Sequence, residues 1–208
     1  MQKLVFTIFL AASVSTTMAQ QVHLGIKAGP SYTKLNGVDH AQITSASNAY
    51  RVGFHGGVTA EASIINKLSL EAELLYSQKG AQNKIAPKIK TIFSYLDLPI
   101  LAKISTGSTG AFFEAGPQFG YTIQVVSKWY GTRYKERDLY EKFDIGYVAG
   151  LGYQLASGPR IGFRYNGGIT RMNKPAISDG KIYATEDMRN NAFQLYVGYV
   201  FGKRQAVQ

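Results

Sequence analysis

Residues 143–170 read FDIGYVAGLGYQLASGPRIGFRYNGGIT, and their character changes at almost every step. Phe143, Ile145, Tyr147, Ala149, Leu151, Tyr153 and Leu155 share one side, while Asp144, Gly146, Val148, Gly150, Gly152 and Gln154 share the other. Ser157-Gly158-Pro159 supplies a turn. Alternation then resumes with Ile161, Phe163, Tyr165, Gly167 and Ile169 against Arg160, Gly162, Arg164, Asn166, Gly168 and Thr170. A period of two sustained over this length predicts a long β-hairpin with one apolar, aromatic face and one small, polar or charged face. A soluble sandwich would turn the apolar face into its core. A small transmembrane barrel would turn it to lipid and line its narrow lumen with the other face. Arginines and glycines along the polar side favour the barrel.

The remaining chain repeats the pattern. Val22, Leu24, Ile26 and Ala28 oppose His23, Gly25, Lys27 and Gly29, and Tyr50, Val52, Phe54, Val58, Ala60 and Ala62 oppose Arg51, His55, Thr59 and Glu61. Leu68, Leu70, Ala72, Leu74 and Tyr76 oppose Ser69, Glu71, Glu73 and Ser77, and Leu96, Leu98, Ile100, Ala102 and Ile104 oppose Tyr95, Asp97, Pro99, Leu101 and Lys103. Residues 111–126 set Phe113, Ala115, Phe119, Tyr121, Ile123 and Val125 against Glu114, Gln118, Thr122 and Gln124. Residues 191–201 close with Phe193, Leu195, Val197, Tyr199 and Phe201. Pro99 removes a ladder donor, so it predicts a bulge or an edge. Polar stretches at 34–48, 78–90, 127–141 and 172–190 read as long loops, and those near 64–67, 105–110 and 157–159 as tight turns. The predicted fold is all-β: an eight-stranded antiparallel up-and-down transmembrane β-barrel with short periplasmic turns and long outer loops. Tyr32, Tyr50, Tyr76, Phe113, Tyr153 and Phe193 fall near strand ends, where aromatic girdles sit in such barrels.

Residues 1–19 read as a secretory signal peptide, leaving 20–208 as one barrel domain. Lys3 gives the positive start, 4–14 the apolar run, and Thr17-Met18-Ala19 a small-x-small cleavage site. The run is too short to cross a bilayer as a helix, so strands must do any spanning. Lys3 leaves with the signal, so 22 of the 23 basic residues remain against 13 acidic ones, a net charge of +9. Export makes nucleic acid an improbable partner; lumen packing and contact with outer-membrane lipid or lipopolysaccharide suit these charges better. The absence of cysteine excludes disulfides, thiol chemistry and a lipid-modified N-terminal cysteine.

The chain also resembles the PorT-like outer-membrane β-barrel family, often labelled "porin family". The resemblance rests on the leader followed by Gly25-Ile26-Lys27-Ala28-Gly29, on Tyr95-Leu96-Asp97-Leu98-Pro99-Ile100-Leu101-Ala102-Lys103, on Gly150-Leu151-Gly152-Tyr153, on Arg164-Tyr165-Asn166-Gly167-Gly168-Ile169-Thr170 and on residues 194–201. It implies a membrane barrel in the cell outer membrane of a Gram-negative bacterium and accounts for Pro99. Its motifs are structural and imply no reaction. A tail at 202–208 continues past the terminal aromatic, Phe201, where barrel proteins often end.

An eight-stranded barrel is only wide enough to be filled by its own side chains. The inward charges, Lys27, Arg51, Glu61, Glu71, Glu73, Asp97, Lys103, Glu114, Asp144, Arg160 and Arg164, therefore have to pair, which predicts a structural charge network. The cation- and aromatic-rich stretch KWYGTRYKERDLYEK at 128–142 offers a partner-contact loop through Lys128, Trp129, Tyr130, Arg133, Tyr134 and Arg137. His23 and His55 both face inward on neighbouring strands, and His40 completes the histidines. Neither HExxH nor GxSxG is present, so no catalytic residue, metal or cofactor is predicted. Four readings stand side by side. The first is a structural or surface-interaction barrel, and the second an accessory of an outer-membrane protein-secretion system. The third is a lipid-modifying barrel enzyme. The fourth is a soluble lipocalin-like barrel with its apolar face turned inward.

Overall fold

The computed structural model describes residues 22–37, 48–83, 89–106, 110–135, 137–174, 176–178, 181–183 and 188–202. Residues 1–19, read above as a signal peptide, together with His40 and the tail beyond Gly202, lie outside the described residues. Eight long strands carry the fold: β1 (Val22–Asn36), β2 (Arg51–Ile65), β3 (Leu68–Asn83), β4 (Lys90–Ser105), β5 (Ala111–Trp129), β6 (Phe143–Gln154), β7 (Pro159–Gly168) and β8 (Arg189–Val200). Each pairs antiparallel with its neighbours in sequence, and β1 pairs with β8, from Gly25↔Val200 to Asn36↔Arg189, so the sheet closes on itself. Closure leaves no free strand edge within the bilayer, as a spanning sheet requires.

Alternation sets the faces as expected. Lys27, His55, Thr59, Glu71, Glu73, Lys103, Arg160 and Arg164 are buried inside, whereas Leu24, Ile26, Phe54, Val58, Leu74, Phe163, Leu195 and Val197 are exposed on the outside. The inverted, lipocalin-like arrangement is therefore not the one this chain adopts. Two aromatic belts bound the outer face. Towards the long connections, Tyr32 stacks on Tyr50 (centroids 4.4 Å apart), Phe54 lies 5.7 Å from Tyr76, and Tyr165 lies 5.2 Å from Phe193. Towards the tight turns, Tyr199 lies 5.4 Å from Phe201, with Phe113 and Tyr153 exposed at the same end.

Four expectations need correction. The polar stretch at 78–90 is not all loop: β3 continues to Asn83 and β4 begins at Lys90, paired through Lys79↔Phe93, Gly80↔Ile92, Ala81↔Thr91 and Gln82↔Lys90. Above the bilayer a strand no longer needs an apolar outer face, so hydrophobicity stops reporting it. Nor is the stretch from 127 to 135 an open loop. β5 runs on to Trp129 and folds back as Thr132–Lys135 around Tyr130-Gly131, whose φ values of 46° and 102° are those of a two-residue hairpin turn with both centres left-handed.

Val125 was expected outside and Gln124 inside; Val125 is instead fully buried and Gln124 exposed. The β4–β5 register slips between Ser94↔Gln124 and Tyr95↔Thr122, so Ile123 is an extra residue that flips every side chain above it. Finally, Pro99 marks neither an edge nor a bulge. The β3–β4 pairs stop at Ala72↔Ile100 and resume at Leu75↔Asp97 in the same register, so proline interrupts the ladder without shifting it.

Candidate functional site

The lumen holds five buried cations, Lys27, Lys79, Lys103, Arg160 and Arg164, among six buried carboxyl side chains, Glu61, Glu71, Glu73, Asp97, Glu114 and Asp144. Adjacent strands β2 and β3 place acids, and the arginines of β7 reach them from the opposite wall. Arg164 Nη1 donates to Glu73 Oε2 (2.9 Å), while Lys27 Nζ approaches the other oxygen of that carboxylate at 2.5 Å. Arg160 Nη1 donates to both oxygens of Glu71 (2.9 and 2.8 Å), and its Nη2 donates to Thr59 Oγ1 (2.9 Å). Lys103 Nζ donates to Glu61 (2.9 Å) and Gln154 (2.6 Å), with Glu71 at 3.7 Å. Removing charge from water costs several kcal/mol per ion even after relaxation, so this arrangement persists only because nearly every charge has a partner.

Tyr196 sits at the centre of the network. Its ring takes Lys27 Nζ at 3.8 Å from the centroid, with the Arg164 and Arg160 guanidinium carbons at 5.6 and 5.9 Å. Its hydroxyl lies 3.2 Å from both oxygens of Glu114. The room it occupies comes from Gly162, where a Cβ would lie 2.5 Å from the Tyr196 hydroxyl oxygen and 2.7 Å from a ring carbon. Gly162→Ala is therefore expected to displace the ring and cost about 1–3 kcal/mol of stability as an overpacking change. The shift of the denaturant midpoint for folding into vesicles measures it.

Not every expected lumen charge joins an ion pair. Glu114 accepts from Tyr196, and Asp144 accepts from Thr170 Oγ1 at 2.8 Å. Arg51 joins no ion pair among the described residues: its Nη2 reaches Gln78 Oε1 at 3.4 Å, and Gln78 in turn donates to the hydroxyl of the outward-facing Tyr76. Lys79 was missed because it falls in the stretch read as loop, yet it pairs with Asp97 at 3.0 Å. Tyr196 and Gln194 were missed because the reading of the last strand followed its apolar residues only. Alternation against Leu195 and Val197 would have found them. His55 Nδ1 lies 2.9 Å from Ser31 Oγ. His23 does not approach it: β1–β2 pairing runs from His23↔Glu61 to Gly29↔His55, six residues apart along the strand and so about 20 Å. No group of three or more metal-ligating side chains occurs among the described residues.

Towards the long connections the lumen turns apolar. Leu35, Ala81, Phe93, Tyr95, Val125 and Met172 form a buried cluster, with Tyr140 and Met188 packed against it. Tyr140 meets Phe93 edge-on at 4.9 Å. Backbone bonds from Glu141 N to Met172 O (2.7 Å) and from Met172 N to Met188 O (2.9 Å) tie the β5–β6 and β7–β8 connections across that end.

Of the expected contact loop, Trp129, Tyr130 and Tyr134 stand exposed on the β5 hairpin. Lys128 and Arg133 are direct partners across it. Arg137 departs from the group: its Nε donates to Thr122 O (3.2 Å) and its Nη2 lies 2.9 Å from Tyr121 Oη, which pins it to the barrel wall.

A closed eight-stranded sheet, apolar outside and packed with paired charges inside, defines a transmembrane β-barrel of outer-membrane type. The model of the outer membrane protein beta-barrel domain matches residues 18–174, well over half of the sequence, and the chain belongs to that family. Among solved structures it is similar to Neisserial surface protein A, at 15% identity over 86% of this chain and 97% of that one, with a TM-score of 0.54. It also aligns with Ail of Yersinia pestis in complex with the heparin analogue sucrose octasulfate (14% identity, 87% and 99% coverage, TM-score 0.49). Outer Membrane Protein W of E. coli aligns at 12% identity over 88% and 100% of the two chains, with a TM-score of 0.43. At such identities the first of these likenesses shows the fold alone. No curated protein sequence matches this chain.

Proposed function

We propose that the protein is an exported, non-catalytic outer-membrane barrel whose body is a rigid plug and whose working surface is its outer rim. The observation that carries this reading is the pair of salt bridges spanning the lumen, Arg164–Glu73 and Arg160–Glu71, closed off above by the Phe93–Val125–Met172 cluster. A lumen filled this way holds the wall stiff and leaves presentation of the outer hairpins as the useful output. Reconstitution into planar bilayers tests it: the folded barrel is expected to give no step-like ion current. Reproducible unitary currents would overturn the plugged reading and favour a polar conduit.

The PorT-like resemblance supports a second, narrower role as an accessory of an outer-membrane secretion system. The exposed Trp129, Tyr130 and Tyr134 give such a role a protein-facing surface. Deleting the gene should then deplete secreted cargo from the cell surface, and unchanged cargo would leave the first reading alone.

A further inference from the structure

Three polar side-chain atoms sealed inside the lumen, His55 Nε2, Ser77 Oγ and Arg164 Nη2, meet no hydrogen-bond partner among the described residues. None of the three residues is more than 1% exposed. Buried polar groups in folded proteins are nearly always satisfied, so three orphans in one region ask for a shared partner. Cross-strand pairing puts them together. His55 on β2 stands directly opposite Ser77 on β3, which brings their Cβ atoms to about 4.5–5.5 Å. A chain of hydrogen bonds ties Arg164 to the same histidine. Its Nε donates to Gln194 Oε1 (2.7 Å), Gln194 Nε2 donates to Ser31 Oγ (3.3 Å), and Ser31 Oγ lies 2.9 Å from His55 Nδ1.

That chain also sets where the protons lie. A guanidinium only donates, so Gln194 turns its oxygen to Arg164 and its amide nitrogen to Ser31. The Ser31 oxygen therefore already accepts, and its own proton goes to His55 Nδ1. A neutral imidazole that accepts at Nδ1 carries its proton on Nε2. The three orphans are thus an imidazole N–H, a guanidinium N–H and a hydroxyl, and each can donate. The charges that act most strongly on His55 are Arg164, Lys27, Glu73 and Lys79. Counting Asp97, the partner of Lys79, three cations stand against two carboxylates. The wall around His55 is also bare. Gly29 opposite it, and Gly53 and Gly57 two positions to either side on β2, share its lumen face and bring no side chain to it.

We propose that His55, Ser77 and Arg164 form a buried binding site for one small monovalent anion of halide size. Donors from β2, β3 and β7 suit a spherical acceptor that takes charge-assisted hydrogen bonds from several directions. A water molecule accepts through two lone pairs and must then find acceptors for its own protons, whereas a halide accepts from all three groups. The anion also balances the local excess of positive charge. Because the site is sealed, the ion enters as the barrel closes and acts as a structural ligand of the folded state, not as a permeant one. It adds a ligand to the plugged lumen and is independent of what the outer rim contacts.

The test refolds the full chain from urea into zwitterionic vesicles in sodium bromide or sodium gluconate at equal ionic strength. The denaturant midpoint is expected to rise with bromide to a plateau and to show no such rise with the bulky gluconate. Ser77→Ala is expected to raise the half-saturating bromide concentration about tenfold, the worth of one hydrogen bond to a charged group. Crystals of the wild type grown in bromide should give one anomalous peak in contact with His55 Nε2, Ser77 Oγ and Arg164 Nη2. Density without anomalous signal at that position marks a water and would overturn the anion, as would equal midpoints in the two salts. An identical bromide response in wild type and Ser77→Ala would put the ion elsewhere and overturn this site. Should Ser77→Ala fail to fold, the anomalous map of the wild type decides alone. None of these readouts uses bilayer conductance, so failure of the plugged reading and failure of the site are told apart.

Discussion

Glu73→Ala is expected to destabilise the folded barrel by about 3–5 kcal/mol, the cost of leaving buried charge without its partner. Two cations converge on this carboxylate, Lys27 at 2.5 Å and Arg164 at 2.9 Å, and all three side chains are sealed from solvent. Alanine would leave both cations in the lumen, with only Gln194 Oε1, 2.7 Å from Arg164 Nε, still accepting from Arg164. Glu73→Gln keeps an acceptor but not the charge and should fall between. Urea titration in lipid vesicles, with the folded fraction read from unboiled gel migration, gives the numbers. Pairing Glu73→Ala with Arg164→Met is the sharper version, because the double variant no longer strands the guanidinium. Its loss should be smaller than the sum of the single losses by about 1–3 kcal/mol. Strict additivity would show that the network is not a coupled unit.

Val58→Arg is expected to cost about 2–4 kcal/mol, the penalty for a cation on the lipid face near the bilayer midplane. Val58 is a little over half exposed and is flanked across the sheet by Ile26 and Leu74, both also pointing outward. In water an exposed arginine at this position would be nearly neutral, so the size of the effect reports the solvent the wall faces. Moving the same substitution outward to Val52, near the belt of Tyr32 and Tyr50, should reduce the cost to within about 1 kcal/mol of wild type. The same vesicle titration measures both variants. Equal, small effects at the two depths would remove lipid from the account of this surface.

How much could be read beforehand differs between the two halves of the barrel. Within the bilayer, lipid demands an apolar residue at every second position, so Ile26, Val58, Leu74, Leu98, Phe163 and Val197 announce their strands and their faces together. Lys27, Glu71, Glu73, Asp97, Lys103, Arg160 and Arg164 then had only one side left to occupy. Above the bilayer, water accepts either face, and the code falls silent. Gln78, Lys79 and Lys90 look like loop residues because nothing about their polarity says that their backbones are paired. Ile123 gives no local sign that it is a bulge, since the slip is defined by its relation to Ser94 and Tyr95 across the ladder.

By itself the chain determined that there are eight strands, which face of each meets lipid, and that the lumen must be filled with mutually compensating charge. Those are consequences of period-two geometry and of the cost of burying ions. Only the tertiary structure decided which charge meets which. Arg164 finds Glu73 and Arg160 finds Glu71 because barrel closure and register bring opposite walls together, and these partners stand 91 and 89 residues apart in sequence. The same closure and register made Tyr196 the centre of the network, and cross-strand pairing set His55 beside Ser77 on the lumen wall.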